Sequence, residues 1–564
     1  MSSELLSFHY QRLNHKAREF RLLKLLPYSS FEDDVCCEIF HSSLDDHPPY
    51  EALSYVWGDP SITGQIQCNG AACSVTANSA IALRYLRLRD RERIIWVDAI
   101  CINQKDDSEK THQVGQMRGV YTGAEQVVVW LGEEHEPQTQ QILPISLACC
   151  RSFKVRQRNS MSAAGEQEVS KSCYDLFVSR PWWTRTWILQ EVIHDRPVIA
   201  CVGFLDFDFD DLCKMYSWYF LSKHFAQQPD RHHVTKPQPE LLLPSHPHAK
   251  YSSLFAAAAA TKRGGSMIKF ARNGRKQGLP EEPSLLWLLQ STRAQKCSDP
   301  RDKIFAVLGM TSPLLAPLIN YAASKREIYI SVMMLFLQYK VFSSFLLVES
   351  PDRPISAITP DVLPSWVPDW TTDQSLCARS IFMASTVSAI STAENKPSNE
   401  FWMRKEGGFT VEEDILILSG VYVGAVTRVF TSNLEYSWEE ASHTTMRLFQ
   451  YDQNANGGDN SIPKDLHNQS GNMYNTSWGP FWVESGDIII ISGVCPTPMV
   501  IRRDGDSYLF VGGCWLIDEE LQGPEESIDE ELVVEELIKD PGTSSIMRIS
   551  AAWDDAKVET FRIK

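Results

Sequence analysis

IIWVDAICINQKDDSEKTHQVGQMRGVYTGAEQVVVWLG, residues Ile94–Gly132, holds two apolar runs with a helical pattern between them. Ile94–Ile100 is almost continuously apolar, the pattern of a strand buried on both faces. Ser108 is placed to cap a helix running to about Tyr121, with Val114, Met117, Val120 and Tyr121 on one face. Gln126–Leu131 then predicts a second buried strand, stopped at Gly132–Glu133–Glu134. Strand, helix and strand in this order predict a parallel pairing, because the helix supplies the crossover that parallel neighbours need.

The same alternation extends in both directions. Upstream, Phe20–Leu26, Val35–Phe40 and Ala52–Val56 read as short strands, the last ending at the turn signal Trp57–Gly58–Asp59–Pro60. Gln65–Cys68 and Ala71–Val75 flank Asn69–Gly70, a strong hairpin signal. Asn78–Leu88 has helical spacing, with Asn78 or Ser79 as its cap. Downstream, helical periodicity covers Gln141–Phe153, and a polar, Ser-rich insert follows at Val155–Ser170. Pro181 stands where a helix over Trp182–Val192 would begin, and Pro197–Val202 closes the series as a strand. The expected fold class is therefore α/β: an N-terminal domain, residues 20–204, with a mostly parallel sheet, helices on both faces and an added β-hairpin. A mainly helical region is expected over 205–320, with a Pro/His-rich break at Gln227–His248. A mixed α+β C-terminal region is expected over 321–564, β-rich at Ile415–Val426 and Asp487–Gly512, with an acidic tail at Asp518–Asp540.

Bulk properties narrow the function classes. At 564 residues the chain is too long for one core. With 43% hydrophobic and 22% charged residues it has the composition of a folded protein. A formal net charge of -17 argues against nucleic acid and anionic membrane surfaces as partners. Met1–Tyr10 lacks a basic segment followed by an apolar one, and the most apolar window, Ile328–Val348, is interrupted by Gln338 and Lys340. The 14 cysteines are scattered and form no CxxC motif, so reduced, mostly buried thiols and a cytoplasmic location are expected. No HExxH, GxSxG, phosphate loop or GxGxxG after a strand is found, and neither a metal nor a cofactor is expected.

Chemistry is expected where the strands end. In an open parallel sheet, ligands bind beyond the carboxyl ends of the strands. Trp57–Gly58–Asp59, Asn103–Gln104 and Gly132–Glu133–Glu134 would all emerge on one edge. Asp98 lies within an apolar run, where an unpartnered carboxylate is costly, so Arg118, Arg185 or a backbone amide should meet it. These polar residues either form a binding edge or merely tie strand ends to loops. RPWWTRTWILQEV, Arg180–Val192, concentrates three tryptophans and two arginines. On one helix, Trp183, Trp187 and Glu191 would follow each other by single turns, placing a carboxylate over an aromatic wall. The alternative is that the tryptophans are core and Glu191 pairs with Arg185 or Arg180.

YEALSYVWGDP (Tyr50–Pro60), IWVDAICINQKDDSEKTHQVGQMRGVYTGAEQVVVWLG (Ile95–Gly132) and RPWWTRTWILQEV resemble the three signature blocks of the fungal HET (heterokaryon incompatibility) domain, over about Leu22–Gly203. DPRDKIFAVLGM (Asp299–Met310), LPSWVPDW (Leu363–Trp370) and GDIIIISGVCPTPMVIRR (Gly486–Arg503) are similar to further blocks of such proteins. The resemblance implies an effector of nonself recognition that triggers growth arrest or regulated cell death. Its partner would be a protein from another incompatibility locus or allele, with self-association as a further expectation. HET domains are considered remote relatives of TIR domains, so a flavodoxin-like sheet and NAD as a substrate are also implied. A Trp four residues before a catalytic Glu is the TIR spacing, which Trp187 and Glu191 share, although Ile188 stands where a Cys is expected and Val192 where Leu is usual. On that resemblance Glu191 is the candidate catalytic residue, holding ribose hydroxyls while Trp187 and Trp57 frame the ring. Tyr55, Gly58, Asp59, Asp98, Asn103, Gln104 and Arg185 complete the expected substrate-binding set, with Asp98 and Asn103 ordering the loops. A non-catalytic HET signalling or assembly module is the alternative that the same segments allow.

Overall fold

The computed structural model describes residues 8–133, 180–194, 196–209, 285–293, 295–311, 313–338, 362–371, 409–437, 443–452, 475–480, 483–492, 495–516 and 558–564. The expected helix at Gln141–Phe153, the insert Val155–Ser170, the break Gln227–His248 and the acidic tail Asp518–Asp540 lie outside them. The chain divides into one unit of residues 1–243 with 257–323, and another of 244–256 with 324–564.

The first unit is built on a nine-stranded sheet among the described residues. Its strands are β1 (Glu19–Leu25), β2 (Cys36–Ser43), β3 (Glu51–Tyr55), β4 (Thr63–Cys68), β5 (Ala71–Thr76), β6 (Arg93–Trp96), β7 (Gln126–Trp130), β8 (Val198–Val202) and β9 (Leu205–Asp208), in spatial order β5-β4-β2-β1-β6-β3-β7-β8-β9. The middle four, β6-β3-β7-β8, pair in parallel, as does β2 with β4. The other neighbours are antiparallel. The sheet is therefore mixed, which corrects the expectation of a mostly parallel one. Two hairpins, β1–β2 and β4–β5, widen it on one side, and β9 folds back on β8 at the other.

Local chemistry explains most of these elements. Between β4 and β5, Asn69 and Gly70 both adopt positive φ, 52° and 74°, which a two-residue turn of this hand requires. β7 is Val127–Trp130 at its centre and is fully buried, as a strand covered on both faces must be. Helix α1 (Ala77–Leu86) is capped by Thr76, whose side chain accepts from Ser79 N, and not by Asn78 or Ser79. Asn78 is used elsewhere: its amide donates to Val56 O and its carbonyl accepts from Trp130 Nε1 at 3.3 Å. The apolar run Ile94–Ile100 is not one strand. β6 stops at Trp96, and Asp98–Cys101 forms a single helical turn, α2. Helix α3 (Asp107–Gly123) is capped by Asp106, which accepts from Ser108 N and Glu109 N, so Ser108 is inside the helix.

The Trp-rich segment is also broken. Pro181–Thr184 is a 3₁₀ turn, Arg185 and Thr186 are extended or bent, and only Ile188–Val192 is α-helical (α4). Trp183 and Trp187 therefore do not lie one turn apart on one helix. Further along, α5 (Leu285–Ser291), α6 (Asp302–Leu308) and a 3₁₀ turn at Pro313–Leu318 belong to the first unit. In α6, Ile304–Leu308 is wholly buried, so this short helix is core and not surface.

The second unit begins with α7 (Lys325–Gln338) and continues in strands β10 (Phe409–Glu412), β11 (Ile415–Ser437), β12 (His443–Asp452), β13 (Asn475–Pro480), β14 (Ile488–Ser492), β15 (Cys495–Asp504), β16 (Ser507–Gly513), β17 (Trp515–Leu516) and β18 (Val558–Ile563). β11 pairs with both β14 and β18, and β14, β15, β16 and β18 are linked in sequence, so five strands close into a small barrel. Leu416, Leu418, Ile489, Val500, Phe510, Phe561 and Ile563 are buried with it. Asp487 is buried beside them and bonded to the Arg502 guanidinium at 2.7 Å. No helix among the described residues is long and apolar enough to cross a membrane.

Candidate functional site at the carboxyl edge of the parallel strands

Because β3, β6 and β7 run in parallel, their carboxyl ends share an edge, as the sequence required. β3 ends at Trp57–Gly58, where Gly58 takes a φ of 78° that disfavours any side chain. β6 leads through Val97 into α2, with Asp98 in its first turn. β7 ends at Leu131–Gly132, and the Arg180 guanidinium donates to Leu131 O and Glu133 O. The α4 turn is tied to β3 through Glu191 and Ser54.

Glu191 is the centre of this arrangement. It is 0% exposed, and Arg185 grips it with two N–H···O bonds of 2.8 Å each. Ser54 Oγ donates to the same carboxylate, and Trp182 Nε1 donates to Ser54 Oγ at 2.8 Å, so the chain of donors reaches from β3 into the Trp-rich segment. A buried carboxylate is tolerable only with such partners, and a bidentate guanidinium is the strongest available. Trp182 and Trp183 are fully buried and meet edge to face at 4.9 Å. They are core, and the Glu191–Arg185 pair is the alternative that the sequence left open; the aromatic wall of Trp183 and Trp187 is not built.

Asp98 is the second carboxylate of the site. Its Oδ2 accepts from Trp57 Nε1 at 2.8 Å and its Oδ1 from Ala99 N at 2.7 Å. Burial pushes its pKa up to about 6; Arg185 opposes that rise and Glu191 adds to it. Arg118, a partner considered for Asp98, instead donates to Gly309 O at 2.6 Å. For Arg185, burial works against the charged form, but Glu191 and Asp98 outweigh it and raise its pKa. The charges of two carboxylates thus act on one guanidinium, which is bonded to Glu191 alone of the two.

The remaining expected residues fall into two groups. Tyr55 is buried, accepts from Ser79 Oγ at 3.2 Å, and has its phenol pKa raised by burial and then by Asp98. Gln104 Nε2 donates to Asp98 O at 3.0 Å, and Asn103 closes its own turn by accepting from Lys105 N. Trp187 is half-buried and its indole turns to Asp302, which accepts from Nε1 at 3.1 Å. Asp59 is exposed and only caps its local turn, accepting from Ser61 N and Oγ. Ser54, Trp182 and Asp302 were not foreseen. Ser54 sat unremarked inside YEALSYVWG, and Asp302 inside DPRDKIFAVLGM, which no spacing rule connects to Glu191. No group of His, Cys, Asp and Glu able to hold a metal ion is found among the described residues.

With this geometry established, the family comparison falls on the same segments. The family described as "Heterokaryon incompatibility protein (HET)" matches residues 50–191, from the residue before β3 to Glu191 itself. Residues 50–191 are therefore similar to a HET domain. It is similar to heterokaryon incompatibility protein 6, OR allele, of Neurospora crassa, with 31% identity over 36% of this chain and 36% of that protein. The match thus spans about a third of the length of that relative. No solved structure matches the chain.

Proposed function

We propose that the chain is an effector of heterokaryon incompatibility, acting in the cytoplasm after nonself recognition of a protein from another locus or allele. The observation that carries this reading is the Arg185–Glu191–Ser54 network, because it lies within the matched segment and ties its last residues to β3. In this reading the network is a latch. Glu191 is fully enclosed and its oxygens are occupied, which supports a signalling or assembly module acting through self-association. Recognition would then be transmitted by keeping or releasing the latch.

A second reading, cleavage of the nicotinamide–ribose bond of NAD, is favoured by a different observation. Counting β3, β6, β7 and β8 as first to fourth, the parallel strands have spatial order 2-1-3-4, an order that supports a flavodoxin-like reading of this part of the sheet. In such sheets ligands bind at the switch point, here between β3 and β7, whose carboxyl ends lead into Trp57 and Gly132. Arg185 would have to swing off Glu191 so that the carboxylate could hold the ribose hydroxyls. The C–N bond would break through an oxocarbenium-like state, and water would take the place of nicotinamide.

Expression in a fungal host tests the effector reading. Wild type should arrest growth and Glu191→Ala should not; two equally harmless proteins would remove it. Incubation of the purified full chain with NAD then separates the two versions. Nicotinamide release that disappears in Glu191→Ala would establish the enzymatic one, and growth arrest without release would establish the module.

A further inference from the structure

Residues beyond the family match close over the Trp187–Glu191 turn from outside. Thr186 N donates to Lys296 O at 3.0 Å, Lys296 N donates to Thr184 O, and the two segments form a parallel bridge at Arg185 and Lys296. Gln190 lies against Gly309, so close that a Cβ there would fall 2.5 Å from the end of its side chain. Its amide bridges Ala306 O and Arg118 N, and Arg118 in turn donates to Gly309 O. At the front of α6, Asp302 accepts from Trp187 Nε1 through Oδ2 at 3.1 Å and from Tyr321 OH through Oδ1 at 2.6 Å. Tyr321 is itself fixed to α3: its N–H donates to Thr111 Oγ1 at 2.9 Å, and Lys110 Nζ stands 3.9 Å from its ring centroid.

Taking Glu191 as the working residue, as in the reading above, we propose that Asp302 is a positioning residue for the Trp187–Glu191 turn, and that the functional site therefore extends beyond the family match to residues 295–321. The backbone shows how the effect travels. Trp187 O accepts from Glu191 N at 3.3 Å, so the residue whose indole Asp302 holds also begins the turn that carries Glu191. Trp57 and Trp187 are each held by a buried carboxylate, Trp57 by Asp98 and Trp187 by Asp302. A carboxylate can accept from the indole and the phenol at once, whereas an asparagine offers one acceptor oxygen and an amide that repels the second donor.

The contact also responds to protons. Burial pushes Asp302 up to about 6, with Asp299 adding to the rise and Tyr321, Trp187 and Lys110 opposing it. The other charged or titratable groups around it are Arg301, which is paired with Asp299 and lies over the Tyr321 ring, and Cys297 and Lys303. Protonation of Asp302 turns one acceptor oxygen into a donor, so the indole should register it.

The full-length chain labelled with 5-fluorotryptophan provides the test, the Trp187 resonance being the one lost in Trp187→Phe. In wild type that resonance should shift with a midpoint near pH 6; in Asp302→Asn it should not titrate. Tyr321→Phe keeps the carboxylate and the indole bond but removes a donor that lowers the pKa, so its midpoint should move to higher pH. This second variant decides the matter if Asp302→Asn fails to fold. In a fungal host, Asp302→Asn should weaken growth arrest at least tenfold. A Trp187 resonance that is flat from pH 5 to 7 in wild type, or one that titrates unchanged in both variants, would overturn the proposal. Growth arrest undiminished in Asp302→Asn but lost in Glu191→Ala would overturn it while leaving the Glu191 reading standing. Growth arrest that survives Glu191→Ala removes that reading instead, and the fluorine titration then decides the Asp302 contact alone.

Discussion

Among its described residues the first unit contains two buried, bidentate Arg–Glu pairs that look alike and are balanced differently. Arg21 on β1 grips Glu109 on α3 with bonds of 2.6 and 2.9 Å, and donates as well to Cys101 O and Gln11 O. Glu109 also accepts from Asn103 N at 2.7 Å. Charges match one to one across 88 residues of sequence, although Arg21 Nε is buried without a hydrogen-bond partner. Arg185 and Glu191 are six residues apart, and a second carboxylate, Asp98, draws on the same guanidinium. The first pair closes a core; the second leaves one negative charge in excess at the carboxyl ends of the strands, on carboxylates that are both buried. An imbalance of this kind marks a site more reliably than burial alone.

Breaking the balanced pair should have the largest effect. Glu109→Gln leaves Arg21 charged and about 99% enclosed, which should cost about 3–5 kcal/mol in urea unfolding. Glu191→Gln should cost less, about 1–3 kcal/mol, because Asp98 remains to answer Arg185. With Glu191 neutral, the Asp98 pKa should fall, since Glu191 is one cause of its rise; carboxylate NMR would show this. A cost for Glu191→Gln equal to that for Glu109→Gln would make the two pairs equivalent and dissolve the contrast.

The excess charge has its own signature. A folded-state pKa raised from 3.8 to about 6 means that the native state binds the Asp98 proton more tightly than the unfolded chain does. Stability from this residue is therefore greatest below pH 4 and declines as pH rises to 6, by about 3 kcal/mol in all. Asp98→Asn removes that decline but sets its amide against one of the two N–H donors. A net gain of about 1 kcal/mol at pH 7, and none at pH 4, is expected from urea titrations at the two values. The smallest effect belongs to Asp59, which touches neither pair: Asp59→Ala should change stability by less than about 0.5 kcal/mol and leave growth arrest as in wild type.

Legibility in the sequence followed the range of the interactions. The Asn69–Gly70 hairpin, the buried strand at β7 and the helix α3 were readable because turn chemistry and periodicity are local. Ile94–Ile100 misled because a strand that runs into one helical turn is as apolar as a longer strand. The sheet was read as mostly parallel because β–α alternation describes its middle and says nothing of hairpins added at its side. In the site, Glu191, Arg185, Asp98 and Trp57 were all foreseen, yet their pairing was left open. Ser54 lies 137 residues from Glu191 and Asp302 lies 115 from Trp187, separations at which no spacing rule operates.

The match to the family stops at Glu191, but β7 does not stop being a strand there. Val127, Val128, Val129 and Trp130 take their second neighbour from β8, which begins only at Val198. A gene fragment cut at residue 191 would express a chain with a bare edge of three valines and a tryptophan, the kind of surface that recruits further chains into aggregates. Under the proposed effector role, aggregation of such a fragment would confound any growth readout. Deletion mapping of this protein should therefore keep residue 209 attached to residue 191.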